Sequence, residues 1–191
     1  MRTNPRRRAA LLDAAIHVLA HKGARGLTFR AVDSAAEVPP GTASNYFANR
    51  DDLLIQAARR VYEHLQQSAA TVDSRVSAPS GRKRVNELMH DLVERISDYR
   101  DGYLALLELR LEATRRPELR RLLAERVGAD LDANIAYNRD AGLPGDDTTV
   151  MLLYLALNWL IVERLTLPEL FDDDWVRELV DLAVERLVPP D

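Results

Sequence analysis

The sequence predicts an all-α fold of about nine helices. Three observations carry this. Apolar residues recur at helical spacing almost throughout, no convincing two-residue alternation or internal repeat occurs, and Pro, Gly and capping residues divide the chain at helix-length intervals.

Pro5 starts a first helix, because a proline at the first helical position loses no hydrogen bond. Leu11, Leu12, Ala15, Ile16, Leu19 and Ala20 give it one apolar stripe. Gly23 and Gly26 end it, since glycine accepts the left-handed backbone of a helix stop. Thr28 caps the second helix with its hydroxyl. Val38-Pro39-Pro40-Gly41 breaks the chain, and a short third helix is expected over about 40–47. Asn49 caps a fourth, expected to reach about Val76. Asp51 and Asp52 complement the dipole of its first turn.

Ala78-Pro79-Ser80-Gly81 is a loop. A fifth helix is expected over about 81–98 and a sixth over about 101–115. Pro117 opens the seventh, which stops before Gly142-Leu143-Pro144-Gly145. The eighth covers about 147–166 and ends before Pro168. The ninth covers about 173–187 and ends before Pro189.

Composition narrows the function. The hydrophobic fraction of 47% and the charged fraction of 29% are ordinary for a soluble globular protein. There is no cysteine, which rules out disulfides and thiolate metal sites and fits a reducing cytosol. The first residues are basic without an apolar stretch, so no secretory signal is expected. The most apolar run, Val150 to Val162, falls short of the roughly 18 residues of a membrane span, so a buried helix is expected.

The net charge of −4 hides an asymmetry. Residues 1–47 hold seven Lys/Arg against three Asp/Glu, a net of +4; the other 19 basic and 27 acidic side chains leave −8. A basic end on an acidic body suits one local contact with a polyanion.

Enzyme readings fail on their residues. A helical metal oxidase needs two Glu-x-x-His pairs with further carboxylates, and the chain has one, Glu87 with His90. His17 and His21 lie one turn apart, but no carboxylate or cysteine partner accompanies them, so they are expected as surface side chains and no metal site is assigned. No phosphate loop, zinc signature or Ser/His/Asp pattern occurs. Neither an enzyme nor a cofactor is expected.

Residues 27–53 read as two short helices around a sharp turn, followed by a longer helix. A short helix with small polar side chains and basic neighbours suits a DNA groove. Leu27, Val32, Val38, Phe47 and Leu53 can form a small shared core beneath it.

Leu11 to Leu54 resembles the TetR family of transcriptional regulators. The resemblance rests on Ala14-Ala15, Gly23, Gly26-Leu27-Thr28, Ala31-Val32, Ala35-Ala36 and Val38. It continues through Gly41-Thr42, Tyr46-Phe47, Arg50 and Leu53-Leu54. The helix outline extends it loosely to the whole chain. It implies a helix-turn-helix DNA-binding domain over 1–48 and a ligand-binding, dimerising domain over 49–191. The protein would be a cytoplasmic, homodimeric repressor that releases a palindromic operator when a small molecule binds. A helical scaffold or adaptor that no longer binds DNA is the alternative.

The expected DNA contacts follow from this. Thr42, Ala43, Ser44, Asn45 and Tyr46 face the duplex, with Asn45 suited to an adenine edge. Thr28, Arg30, Tyr46 and Arg50 would hold phosphates, with Thr28 also a cap and Tyr46 also open to a packing role. Arg2, Arg6, Arg7 and Arg8 form either a DNA-contacting arm or a solvated tail. The sequence departs from the family pattern at Glu37, where a turn glycine is usual. A left-handed backbone there costs a non-glycine residue about 1 kcal/mol.

The eighth helix is apolar nearly all round and the ninth broadly so. Leu153, Leu157, Leu160, Ile161, Trp175, Leu179, Leu182 and Ala183 are the candidate dimer contacts, with an internal core as the other reading. Candidate effector contacts are Tyr62, Met89, Tyr99, Tyr103, Leu107, Glu108, Tyr137, Asn158 and Trp159, each of which also suits plain packing.

Overall fold

A computed structural model describes residues 4–69 and 80–190. Among them it contains eight α-helices, one 3-10 turn and no strand. The helices are α1 (Pro5–Gly26), α2 (Phe29–Ala35), α3 (Arg50–Ala69), α4 (Gly81–Asp98), α5 (Arg100–Ala113), α6 (Pro117–Asp140), α7 (Asp147–Thr166) and α8 (Asp173–Leu187). The expected extension of the fourth helix to Val76, the start of the loop at Ala78, and Arg2 lie outside the described residues.

Local chemistry explains the boundaries. Asn4 caps α1 by accepting from the N–H groups of Arg6 (3.0 Å) and Arg7 (3.3 Å). Gly23, at φ +65, kinks α1 one turn before its end. Thr28 caps α2 by accepting from Ala31 N–H at 3.1 Å. Asn49 does the same for α3 through Asp52 N–H at 2.8 Å. Asp146 and Thr149 form a reciprocal capping box on α7, and Asp172 caps α8.

The expected third helix is corrected. Over 40–47 only Ala43–Asn45 is helical, as a 3-10 turn. Pro39 and Pro40 donate no hydrogen bonds, and Gly41 sits at φ +87. Asn45 and Tyr46 donate to residues three back, Thr42 and Ala43, which is the tighter 3-10 pattern.

The chain forms two compact units. One comprises residues 1–66 and 99–126, the other 67–98 and 127–191. In the first, α1 packs against α2 and lies along α5. Leu11, Ala15, Leu19, Leu27, Val32, Phe47, Leu53, Leu54 and Leu109 are fully or almost fully buried there. Of the expected head core, Val38 is only half-buried. In the second unit α4, α7 and α8 pack together. Val85, Leu88, Leu143, Leu153, Val184 and Val188 form a core, with Met89, Tyr137, Ala183 and Leu187 against it.

Candidate nucleic-acid interface

The recognition segment is held from inside by a residue the sequence reading passed over. Asp33, on α2, is 2% exposed. Its carboxylate accepts from Gly41 N–H at 2.7 Å and Ala43 N–H at 2.6 Å. Charge-assisted bonds of this kind are about twice as strong as neutral ones. Asp33 therefore supplies the anchor that a capping side chain at position 39 or 40 would have given. A lone acid on a short helix, six residues before a Pro-Pro-Gly break, was the available signal.

Anchoring fixes which side chains face out. Ser44 and Asn45 are exposed, and Thr42 and Tyr46 half-exposed. The Thr42 hydroxyl donates to Pro39 O at 2.5 Å, Ser44 Oγ to Gly41 O at 2.8 Å, and Asn45 Nδ2 to Gly41 O at 3.0 Å. These are local, solvent-side bonds, which exchange for other partners at small net cost. Ala43 corrects the expected contact set. It is fully buried, with its N–H on Asp33, so it is a packing residue and cannot meet a base. Phe47, next to the polar stretch, is buried beneath it.

Glu37 sits at φ +53, the left-handed backbone foreseen for this position. Its neighbour Val38 donates to Asp33 O at 3.0 Å, closing the turn after α2.

Four cations change role. Arg50 donates to the carbonyls of Ala24 and, at 3.3 Å, Leu27, and lies 3.7 Å from Glu112. It ties the α1–α2 connection to α3 and α5. Arg8 bonds Gln56 and covers the Phe47 ring at 5.8 Å. Arg6, Arg7 and Arg8 belong to the first turn of α1 rather than to an extended arm, with Arg6 and Arg7 exposed. Arg30 is exposed on α2.

Glu112 is buried and organises an arginine cluster. It pairs with Arg115 at 2.8 Å, with Arg116, and with Arg50. The Arg115 hydrogen bond first, then the Arg116, Arg115 and Arg50 charges, hold its carboxyl below the ordinary glutamate value against the opposing effect of burial.

The candidate effector residues divide between the units. In the first, Tyr62 and Tyr103 are buried and Leu107 half-buried. Tyr99 stacks on His64 with ring centroids 5.2 Å apart, and burial pushes its phenol up to about 12. Glu108 accepts from Ala24 N–H at 2.8 Å and lies against Gly23, so it braces the α1 kink. In the second unit, Met89 and Tyr137 pack on the core, and Tyr137 accepts from Arg84 at 2.8 Å. Asn158 donates to Tyr154 O at 2.7 Å. Trp159 is corrected: at 65% exposure it stands on the surface of its unit rather than among the side chains buried there.

The candidate dimer contacts also sort by burial. Leu153, Leu157 and Ile161 are buried within their own unit, which corrects their assignment to an interface. Leu160, Leu179 and Ala183 are half-buried. The outward row is Met151, Leu152, Leu155 and Trp159 on α7, with Trp175 and Leu182 on α8. By length and composition α7 could also cross a membrane. Its buried stripe of Leu153, Leu157, Ile161 and Leu165 instead packs into a helical domain.

His17 and His21 are not without a carboxylate. Asp101, at the start of α5, places Oδ2 3.0 Å from His17 Nδ1 and 3.6 Å from His21 Nδ1.

Comparison with known proteins gives the same assignment at both ends. Residues 11–62 match "Bacterial regulatory proteins, tetR family", and residues 80–190 match "Tetracyclin repressor-like, C-terminal domain". The chain is 31% identical over 143 residues to the HTH-type transcriptional regulator BetI of Rhizobium meliloti (strain 1021), covering 75% of this chain and 69% of that one. A TetR-family member from Streptomyces coelicolor A3 superposes with a TM-score of 0.72 at 31% identity, over 97% of this chain and 99% of that one. The multidrug binding protein EbrR complexed with ethidium superposes with a TM-score of 0.64 at 33% identity, over 95% and 99%. The chain belongs to the TetR family of DNA-binding transcriptional regulators and is not an enzyme.

Proposed function

We propose that this TetR-family regulator is a cytoplasmic, homodimeric repressor. It occupies a palindromic operator and leaves it when a small molecule binds the C-terminal domain. The observation that carries the DNA side is the outward set of Thr42, Ser44, Asn45 and Tyr46 on a turn pinned from within by Asp33. Asn45 pairs with an adenine edge, and the hydroxyls of Thr42 and Ser44 meet bases or phosphates. Thr28, Arg30 and Tyr46 hold phosphates beside them. Arg50, engaged with two carbonyls, positions the head instead.

Arg6, Arg7 and Arg8 add a long-range pull. Three cations in the first turn of α1 oppose the helix dipole, at about 0.3–1 kcal/mol each when exposed. A nearby phosphate backbone relieves that opposition.

The apolar row on α7 and α8 supports the dimer. An exposed row of Leu, Met and Trp is what a second copy covers, and a two-fold pairing matches a palindrome. Two heads then reach successive major grooves, about 34 Å or a multiple apart. An effector that binds one state of the dimer better than the other shifts the population toward it. Because EbrR is a multidrug binding protein, a flat cationic aromatic compound is the first effector class to test.

Titrating the chain onto palindromic duplexes and onto the region upstream of its own gene, across a salt series, tests this reading. Affinity is expected to fall steeply as salt rises, as phosphate-dominated binding requires. Equal, weak binding to every duplex would favour the scaffold alternative.

A further inference from the structure

We propose that His17, His21 and Asp101 form a binding site for a divalent transition-metal ion of the Zn2+ class. His17 and His21 are one helical turn apart on α1, so both rings leave the same face. Their ring centroids are 4.1 Å apart. Asp101 comes from the first turn of α5, the helix that lies along α1 in the same unit. One ligand atom from each of the three falls within 4.8 Å of the others.

The donor spacing suits a metal. Zn2+ binds nitrogen and carboxylate oxygen at about 2.0–2.1 Å, which sets tetrahedral donors about 3.3 Å apart. The Asp101 oxygen lies 3.0 Å from one histidine nitrogen and 3.6 Å from the other, on either side of that value. A set of two imidazoles and one carboxylate favours Zn2+, Ni2+ or Cu2+ over Mg2+ or Ca2+, which want more oxygen ligands. Water completes the coordination, because all three side chains are partly exposed and an ion reaches them from solvent. That exposure makes the site exchangeable. His21 Nδ1 also bonds His17 O at 3.0 Å, and on metal binding it gives up that bond or turns its ring to present Nε2.

The ion would clamp α1 to α5. α1 is the helix against which α2 packs, and α2 in turn carries the recognition turn, so the clamp stiffens the frame of the reading head. The site is independent of which effector the C-terminal domain takes.

The test is calorimetric titration of the full chain with Zn2+ alone, then Ni2+ alone, against His17→Ala, His21→Ala, Asp101→Asn and His90→Ala. One equivalent per chain is expected for the parent and for His90→Ala. Each of the other three should bind more than tenfold more weakly, since even outer-shell losses cost 10–100-fold. Zn2+ at a hundredfold excess over its Kd should raise the melting temperature by about 5–10 °C in the parent. Far-ultraviolet circular dichroism checks that the variants remain helical, as substitution at exposed positions allows. Undiminished stoichiometric binding in His17→Ala and His21→Ala, or no Zn2+ binding by the parent in the micromolar range, overturns the site.

Discussion

The recognition turn and the outer face of α7 and α8 are incomplete in opposite ways. The turn displays hydroxyls and an amide held only by local, solvent-side bonds, over a buried floor of Ala43, Phe47 and Asp33. The α7–α8 face displays Leu, Met and Trp over a floor of equally apolar Leu153, Leu157 and Ile161. The first surface asks for a polar, charged partner and the second for an apolar one. The same chain can thus meet DNA and its own copy without confusing the two, because desolvating the wrong partner is costly at either place.

The contrast is easiest to break on the apolar side. Trp159→Glu places a charge where a second copy would cover an aromatic ring. Losing a central aromatic costs about 2 kcal/mol or more, and two-fold symmetry counts it twice, so the dimer constant should weaken about a thousandfold. Sedimentation should show folded monomer at micromolar concentration. An unchanged dimer would place the interface elsewhere.

Asp33→Ala attacks the polar side from beneath. It removes two charge-assisted bonds and leaves the Gly41 and Ala43 donors without their acceptor, a loss of about 2–4 kcal/mol. Denaturant melts should show that loss, with DNA affinity falling further than stability alone explains. A variant of parental affinity would mean that the turn needs no internal anchor.

Asn45→Ala sharpens the comparison without touching the floor. About 1–3 kcal/mol of discrimination at one base pair should vanish while stability stays constant, as a competition assay with single-base operator variants reads out. Glu37→Gly is the mildest. Glycine relieves the left-handed strain at φ +53, so the melting midpoint should rise by the equivalent of about 1 kcal/mol. Loss of stability would show that Glu37 makes a compensating contact.

What the sequence revealed followed from how local each signal is. Caps and breakers act within one turn, so α4, α7 and α8 cover the expected 81–98, 147–166 and 173–187, with Pro168 and Pro189 just beyond the last two. The third helix was misjudged because the same Pro39-Pro40-Gly41 that signals a helix start also removes the donors and the cap. Which face of α7 looks outward could not be read from a helix apolar on every side, because such a pattern has no phase. Pairings across long stretches of chain were invisible for another reason. Asp101 lies 84 residues from His17, and Glu108 84 residues from Ala24, so only packing of α5 on α1 brings them together. Within the site, exposed Asn45 and Ser44 were foreseen, whereas buried Ala43 was not, since three consecutive small residues give no sign of which one points inward.

The most direct test is selection of bound sequences from a random duplex pool at physiological salt, using the intact chain. The account predicts enrichment of a two-fold symmetric site, with half-sites spaced by about one helical turn or a multiple and two chains per duplex. Enrichment of a single asymmetric site, or of no sequence at all, would contradict it.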